Sequence, residues 1–217
     1  MKKAVIFDLD GTLLNTLGDL TGAVNHALSA HGFPTHTEAE VRTYIGDGVK
    51  QLIARSCPVG TDQATRQAVL EAYLPHYAAH NMDLTAPYPG VLELMADLKD
   101  AGYHLGVVSN KHAPGVKALT ARYFEGLLDI AVGGDGTRPL KPAPDNLLFA
   151  IEQMGVSAEE VWYVGDSVQD VQTARNAGVD CIAVTWGFQD EDRLVAENPT
   201  ALADGAEEVK AIIMEGT

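Results

Sequence analysis

Four short, largely apolar runs recur along the chain: Ala4–Phe7, His104–Val108, Val161–Val164 and Cys181–Val184. Each is bounded by turn-forming or acidic residues, which predicts buried strands. A weaker fifth covers Ile130–Val132. Between them the apolar positions change to a helical period over Val91–Ala101, Pro114–Arg122, Asn146–Met154 and Val168–Ala177. Gly102, Gly155 and Gly178 stand where helices commonly stop on a left-handed glycine. Single helices alternating with strands imply parallel pairing by right-handed crossovers, hence a doubly wound, Rossmann-like α/β sheet.

The rhythm breaks once. After Gly11 no strand signal returns until about residue 103, and helical patterns fill the gap at Leu17–His31, Glu38–Tyr44, Gly48–Ser56 and Gln63–His80. One βαβ crossover does not need so long a connection. Residues 15–84 are therefore expected to form an inserted helical domain, with 1–14 and 85–217 making up the α/β core. The loop Thr85-Ala86-Pro87-Tyr88-Pro89-Gly90 is its expected exit.

Composition narrows the partners. Over 217 residues, 30 acidic against 15 basic side chains give a formal charge of -15. A nucleic acid or an anionic membrane as main partner would call for a basic footprint. A phosphorylated small molecule is still admitted, because a buried cation reverses the sign locally. The two cysteines, Cys57 and Cys181, lie far apart without metal-ligand spacing and read as reduced thiols. The apolar run at the N-terminus is too short for a signal peptide, and no stretch approaches transmembrane length. A cytoplasmic protein, monomeric or homodimeric, is the expectation.

The chemistry gathers at strand ends. Ala4–Phe7 runs into Asp8-Leu9-Asp10-Gly11-Thr12, at the edge where open α/β sheets place their sites. In extended chain, residues two apart point the same way, so Asp8 and Asp10 converge. By itself this fits a catalytic pair and an acidic strand end before a turn about equally. Val161–Val164 likewise runs into Gly165-Asp166-Ser167, with Asp170 four residues beyond Asp166. Alone, that reads as helix capping by Asp166 or Ser167. With Asp8 and Asp10 it becomes a cluster of carboxylates that calls for a divalent cation, and oxygen-only ligands favour Mg²⁺. Ser109 and the backbone N–H groups that follow it, at an expected helix entrance, are natural phosphate donors, although Ser109 would also serve as a plain N-cap. The prolines of Lys141-Pro142-Ala143-Pro144 are expected to hold the chain extended and present Lys141. Arg138 is the lesser candidate for the same part.

Taken in order, Asp8-Leu9-Asp10-Gly11-Thr12, Ser109-Asn110, Lys141-Pro142 and Gly165-Asp166-Ser167-x-x-Asp170 resemble the motifs of the haloacid dehalogenase superfamily. The likeness covers the whole chain, since the insertion looks like that superfamily's helical cap. Within it, the first cap helix, Val41-Arg42-x-x-Ile45-Gly46-Asp47-Gly48 and Val132-Gly133-Gly134-Asp135 are similar to bacterial phosphoglycolate phosphatases. Asn15 stands where that group usually carries an acid, at the hinge into the cap.

The resemblance implies a two-step phosphoryl transfer. Asp8 is the implied nucleophile, forming an aspartyl-phosphate, and Asp10 the general acid and then base. Mg²⁺ is held by Asp8, the backbone carbonyl of Asp10 and Asp166, with Asp170 direct or one layer out. Ser109, Asn110 and Lys141 bind the transferring oxygens. The acid at Asp10 separates phosphate chemistry from dehalogenation, since a halide needs no proton. From the cap, Gly46 with Lys50 or Arg42 would read the leaving group. The expected activity is hydrolysis of a small phosphate monoester, with 2-phosphoglycolate first. The alternatives are a phosphomutase similar to β-phosphoglucomutase, or a phosphatase for another sugar phosphate or nucleotide.

Overall fold

In the computed structural model, which describes residues 1–215, β1 (Ala4–Phe7) lies inside a six-stranded parallel sheet. Its neighbours are β4 (His104–His112), followed outward by β5 (Ile130–Gly134), and β6 (Val161–Gly165), followed by β7 (Asp180–Val184) and β8 (Ala201–Ala203). The remaining strands, β2 (Leu14–Asn15) and β3 (Ala86–Pro87), form a separate antiparallel pair. β1 is buried throughout, and its side chains alternate between two cores, as a period of two requires. Val5 and Phe7 join Leu105, Val107, Trp162 and Val164 under α5 (Val91–Asp100), α6 (Ala113–Tyr123) and α10 (Ala206–Glu215). Ala4 and Ile6 join Val108, Val161 and Tyr163 on the other face, under α7 (Asp145–Met154), α8 (Val168–Ala177) and α9 (Glu191–Ala196). This is the doubly wound α/β sheet that the alternation predicts.

Between β2 and β3 the chain forms α1 (Leu17–Ala30), α2 (Glu38–Tyr44), α3 (Val49–Ser56) and α4 (Gln63–His80). These helices close on a core of their own, with Val24, Leu28, Val41, Ile53 and Val69 at its centre. At the base of this insertion, Asp19 accepts from the backbone N–H groups of Leu84 and Thr85, both at 2.9 Å, and so ties its first helix to its exit. No helix among the described residues is long and apolar enough to cross a membrane.

Two local expectations change. β4 continues through Ser109–His112, because its ladder with β5 resumes after an irregularity between Val108 and His112. Ser109 therefore does not cap α6, whose N-cap residue is His112. The Lys141 loop is not extended either: Ala143 N–H donates to the Leu140 carbonyl at 3.0 Å, closing a turn.

Candidate active site

Strand register assembles the site. Phe7 pairs with Val107 on one side and with Val164 on the other, so Asp8, Ser109 and Asp166 emerge along one sheet edge. Asp8 N–H donates to the Val164 carbonyl at 2.8 Å, which fixes the nucleophile candidate against β6. Gly11 turns the chain with φ +89°, and a Cβ there would lie 2.3 Å from an Asp166 oxygen. Only glycine gives the backbone both this conformation and this approach. Asp166 is held from both sides, by Thr12 Oγ1 at 2.9 Å and by the Phe188 N–H at 2.7 Å.

Asp170, fully buried, uses its two oxygens differently. One oxygen completes a capping box with Ser167, accepting its N–H at 3.0 Å. The other accepts from Lys141 Nζ at 2.6 Å and from the Tyr163 hydroxyl at 3.0 Å. Lys141 Nζ also lies 2.9 Å from Asp8 Oδ1, close enough to pair electrostatically. Among the described residues, Lys141 is the one side chain that reaches this buried oxygen. Tyr163 completes the cluster by accepting from Lys141 Nζ at 3.2 Å. On the sequence alone it reads as an ordinary strand residue.

The charges here do not balance. Asp8, Asp166 and Asp170 each bring an oxygen within 4.8 Å of the others, while Lys141 is the ammonium paired with Asp8 and Asp170. Burial raises the Asp8 carboxyl to about 6; Lys141 pulls it down, and Asp170 and Asp10 add to the rise. Asp166 is raised by burial and by Asp170 and Asp8. Burial alone would lower Lys141, but Asp170 and Asp8 override it and hold the ammonium protonated. Like charges packed this closely are relieved by a cation. Three converging, buried carboxylates and an all-oxygen donor set fit a hard divalent ion.

Asp10 turns its carboxylate away from that trio. Thr16 Oγ1 donates to it at 2.7 Å, and Lys111 Nζ reaches its two oxygens at 2.9 and 3.1 Å. The Asn110 side chain is likewise committed. Its Nδ2 donates to the carbonyls of Gly46 (2.8 Å) and Lys141 (3.1 Å), and its Oδ1 accepts the Lys141 N–H at 2.7 Å. Ser109 is buried and lines the cavity. Arg138 lies elsewhere, donating to Asn146 at 2.8 Å and stacked 4.0 Å from the Phe149 ring.

Above the carboxylates a cavity of about 430 Å³ opens between sheet edge and insertion. Asp8, Asp10, Ser109, Lys141 and Asp166 form its floor, and Gly46 reaches it from the insertion. Lys50 and Arg42 do not. Lys50 is exposed, and Arg42 pairs with Asp190 at 3.2 Å on the outer side. Lys111 lines the cavity with no role foreseen for it. Its presence beside Ser109-Asn110 in the sequence was the available signal.

The sequence model of the haloacid dehalogenase-like hydrolases matches residues 5–184. The phosphoglycolate phosphatase of Vibrio parahaemolyticus is 34% identical over 222 residues, spanning 97% of this chain and 96% of that protein. An N-acetylmuramic acid 6-phosphate phosphatase from Pseudomonas aeruginosa is 32% identical over 187 residues, spanning 86% of this chain and 83% of that protein. A crystal structure from Lactobacillus delbrueckii subsp. bulgaricus, of a protein provisionally described as a phosphoglycolate phosphatase, superposes with TM-score 0.92 at 36% identity. That match covers 98% of this chain and 99% of the other. The chain belongs to the haloacid dehalogenase-like hydrolase family. Within it, the chain is an enzyme of the phosphoric monoester hydrolase class, similar to bacterial phosphoglycolate phosphatases.

Proposed function

We propose that this enzyme is a Mg²⁺-dependent phosphatase that hydrolyses a small phosphate monoester through an aspartyl-phosphate on Asp8. The observation that carries this reading is Asp8 itself: buried at the cavity floor, with Lys141 Nζ 2.9 Å from its Oδ1 and Asp166 beside it. One Asp8 carboxylate oxygen attacks phosphorus in line, forming the new O–P bond as the bond to the leaving oxygen breaks. Asp10, steadied by Lys111 and Thr16, gives its proton to that leaving oxygen. In the second step Asp10 takes a proton from the water that releases phosphate. Ser109 and Lys141 bind the transferring oxygens, and Asn110 acts by fixing Lys141 and the Gly46 turn.

Asp8, the Asp10 carbonyl and Asp166 would hold Mg²⁺, with Asp170 supporting them through Lys141. When bound, the ion offsets the repulsion between an anionic nucleophile and an anionic phosphate. Residues 15–84 act as a cap that excludes water while the ester is cleaved. The free, buried Cys57 and Cys181 accord with a cytoplasmic enzyme.

Relatives named phosphoglycolate phosphatase make 2-phosphoglycolate the first substrate to try. A phosphomutase would have to seat a second phosphate in the same cavity, whose insertion side carries no lysine or arginine. The test is phosphate release across small esters with Mg²⁺, repeated with a chelator and with Asp8→Asn. Turnover should stop with the chelator, return with Mg²⁺, and be absent from a folded Asp8→Asn. Wild-type-like activity in that variant, or hydrolysis indifferent to the chelator, would overturn the reading.

A further inference from the structure

The side of the cavity facing the phosphate site differs sharply from its floor. The insertion is seated on the core, with Asn110 Nδ2 at 2.8 Å from the Gly46 carbonyl and Gln169 Nε2 at 2.9 Å from Asp47 Oδ1. The cavity of about 430 Å³ is thus the space that remains with the two parts in contact. Its upper wall is built from Leu20, Val49, Leu52 and Leu74, with the rings of Tyr73 and Tyr77. Those rings stack one helical turn apart on α4, centroids 5.4 Å apart and planes within 10°. No lysine or arginine of the insertion reaches it. Arg55, like Arg42, is spent elsewhere, on Asp47 and the Tyr44 carbonyl. The cavity's two lysines, Lys111 and Lys141, are each already paired with a carboxylate, and His112 lies exposed on the core side.

A carboxylate turned toward this wall would give up water and find no cation there, only the Asn81 amide and the Tyr77 hydroxyl, which is costly. A two-carbon acid would also leave most of the space unfilled, since cavities of roughly 300–1,000 Å³ house ligands of drug size. A flat or branched apolar group instead meets aliphatic side chains and the rings of Tyr73 and Tyr77. Resting on the phosphatase reading, we infer that the enzyme's preferred substrate is a phosphate monoester whose alcohol half is uncharged, apolar and about the size of an aromatic ring. The floor reads the phosphate, and the wall reads the alcohol.

The experiment compares kcat/KM for benzyl phosphate, 2-phosphoglycolate and glucose 6-phosphate with Mg²⁺. All three release primary alcohols, so the ratio reports the wall more than intrinsic reactivity. Benzyl phosphate should lead by about tenfold or more, a margin that apolar contacts of this extent supply. Leu74→Arg, checked for folding by its thermal transition, should lower benzyl phosphate turnover by about tenfold and raise that of 2-phosphoglycolate. If that variant does not fold, the wild-type ratio decides alone. Preference for 2-phosphoglycolate or glucose 6-phosphate would overturn the inference and leave the phosphatase standing. No turnover of any ester would overturn both.

Discussion

Lys111 holds Asp10 by both carboxylate oxygens, its Nζ 2.9 Å from Oδ1 and 3.1 Å from Oδ2. The contact joins the first strand's loop to the tail of β4, residues 101 apart. The Tyr77 ring closes over the ammonium from the insertion, 4.7 Å away. In the proposed mechanism Asp10 is the general acid; such a group must stand where the leaving oxygen will be, and this grip would set that position. Lys111→Met is expected to lower kcat/KM, which reports the first step, roughly tenfold to a hundredfold on alkyl phosphates, part of the 10²–10⁴ a general acid contributes. On p-nitrophenyl phosphate, whose leaving oxygen needs no proton, kcat/KM should fall far less. Equal losses of kcat/KM on both would show that Lys111 does not act through Asp10 as the acid.

The surplus of buried acid predicts how stability follows pH when divalent cations are removed. Asp8 titrates at about 6 in the fold against an ordinary 3.8, so between those values the folded chain keeps a proton that the unfolded chain has lost. The stabilisation is complete below about pH 4 and is lost as pH rises through about 6. Asp166 moves in the same direction, by burial and its acidic neighbours. With chelator present, Tm is expected to fall between pH 4.5 and 7. Added Mg²⁺ should raise Tm at pH 7.5 and do little at pH 4.5, because the ion needs deprotonated ligands. Surface carboxylates such as Asp135 and Glu160 are shifted downward, and their contribution is lost only at more acid pH. Asp8→Asn should flatten both the slope and the Mg²⁺ response. Melts in which wild type and variant follow one pH curve would refute this assignment.

How much of this was legible in the sequence depended on what each residue had to signal. β1, β6 and β7 announce themselves because they are buried on both faces and so read as unbroken apolar runs. β8, only Ala201–Ala203, carries no such signal. The end of β4 is polar because Ser109–Lys111 belong to the site, so the pattern stops at Val108 while the ladder does not. Asp8 and Asp166 were readable as strand-end acids whose convergence follows from register, and Asp170 from its place in the first turn of the helix that follows. Tyr163 was not, since alternation tells which face a ring occupies and nothing about its hydroxyl. Arg42 and Lys50 drew notice for charge beside Gly46–Gly48. Helix phase instead presents Val49 and Leu52 to the cavity and turns the cations outward.

Asn110 is the joint at which core, Lys141 loop and insertion meet, and an isosteric change isolates what its amide does. Asn110→Asp keeps the acceptor for the Lys141 N–H, now 2.7 Å away. It replaces the Nδ2 donor with an oxygen facing the carbonyls of Gly46 and Lys141, at 2.8 and 3.1 Å. A buried acceptor and a half-buried one are then left without a donor, and a buried negative charge faces them. A cost of about 2–4 kcal/mol is expected, from unsatisfied groups at about 1–3 each with partial relaxation. Denaturant titration measures that loss directly. Because one of the broken bonds anchors the insertion, amide exchange at Gly46–Gly48 should accelerate, and KM should rise more than kcat falls. Asn110→Ala, which removes donor and acceptor without adding charge, should cost less. If Asn110→Asp left stability and Gly46 exchange unchanged, the seat of the insertion would have to be held by Gln169–Asp47 and Arg42–Asp190 instead.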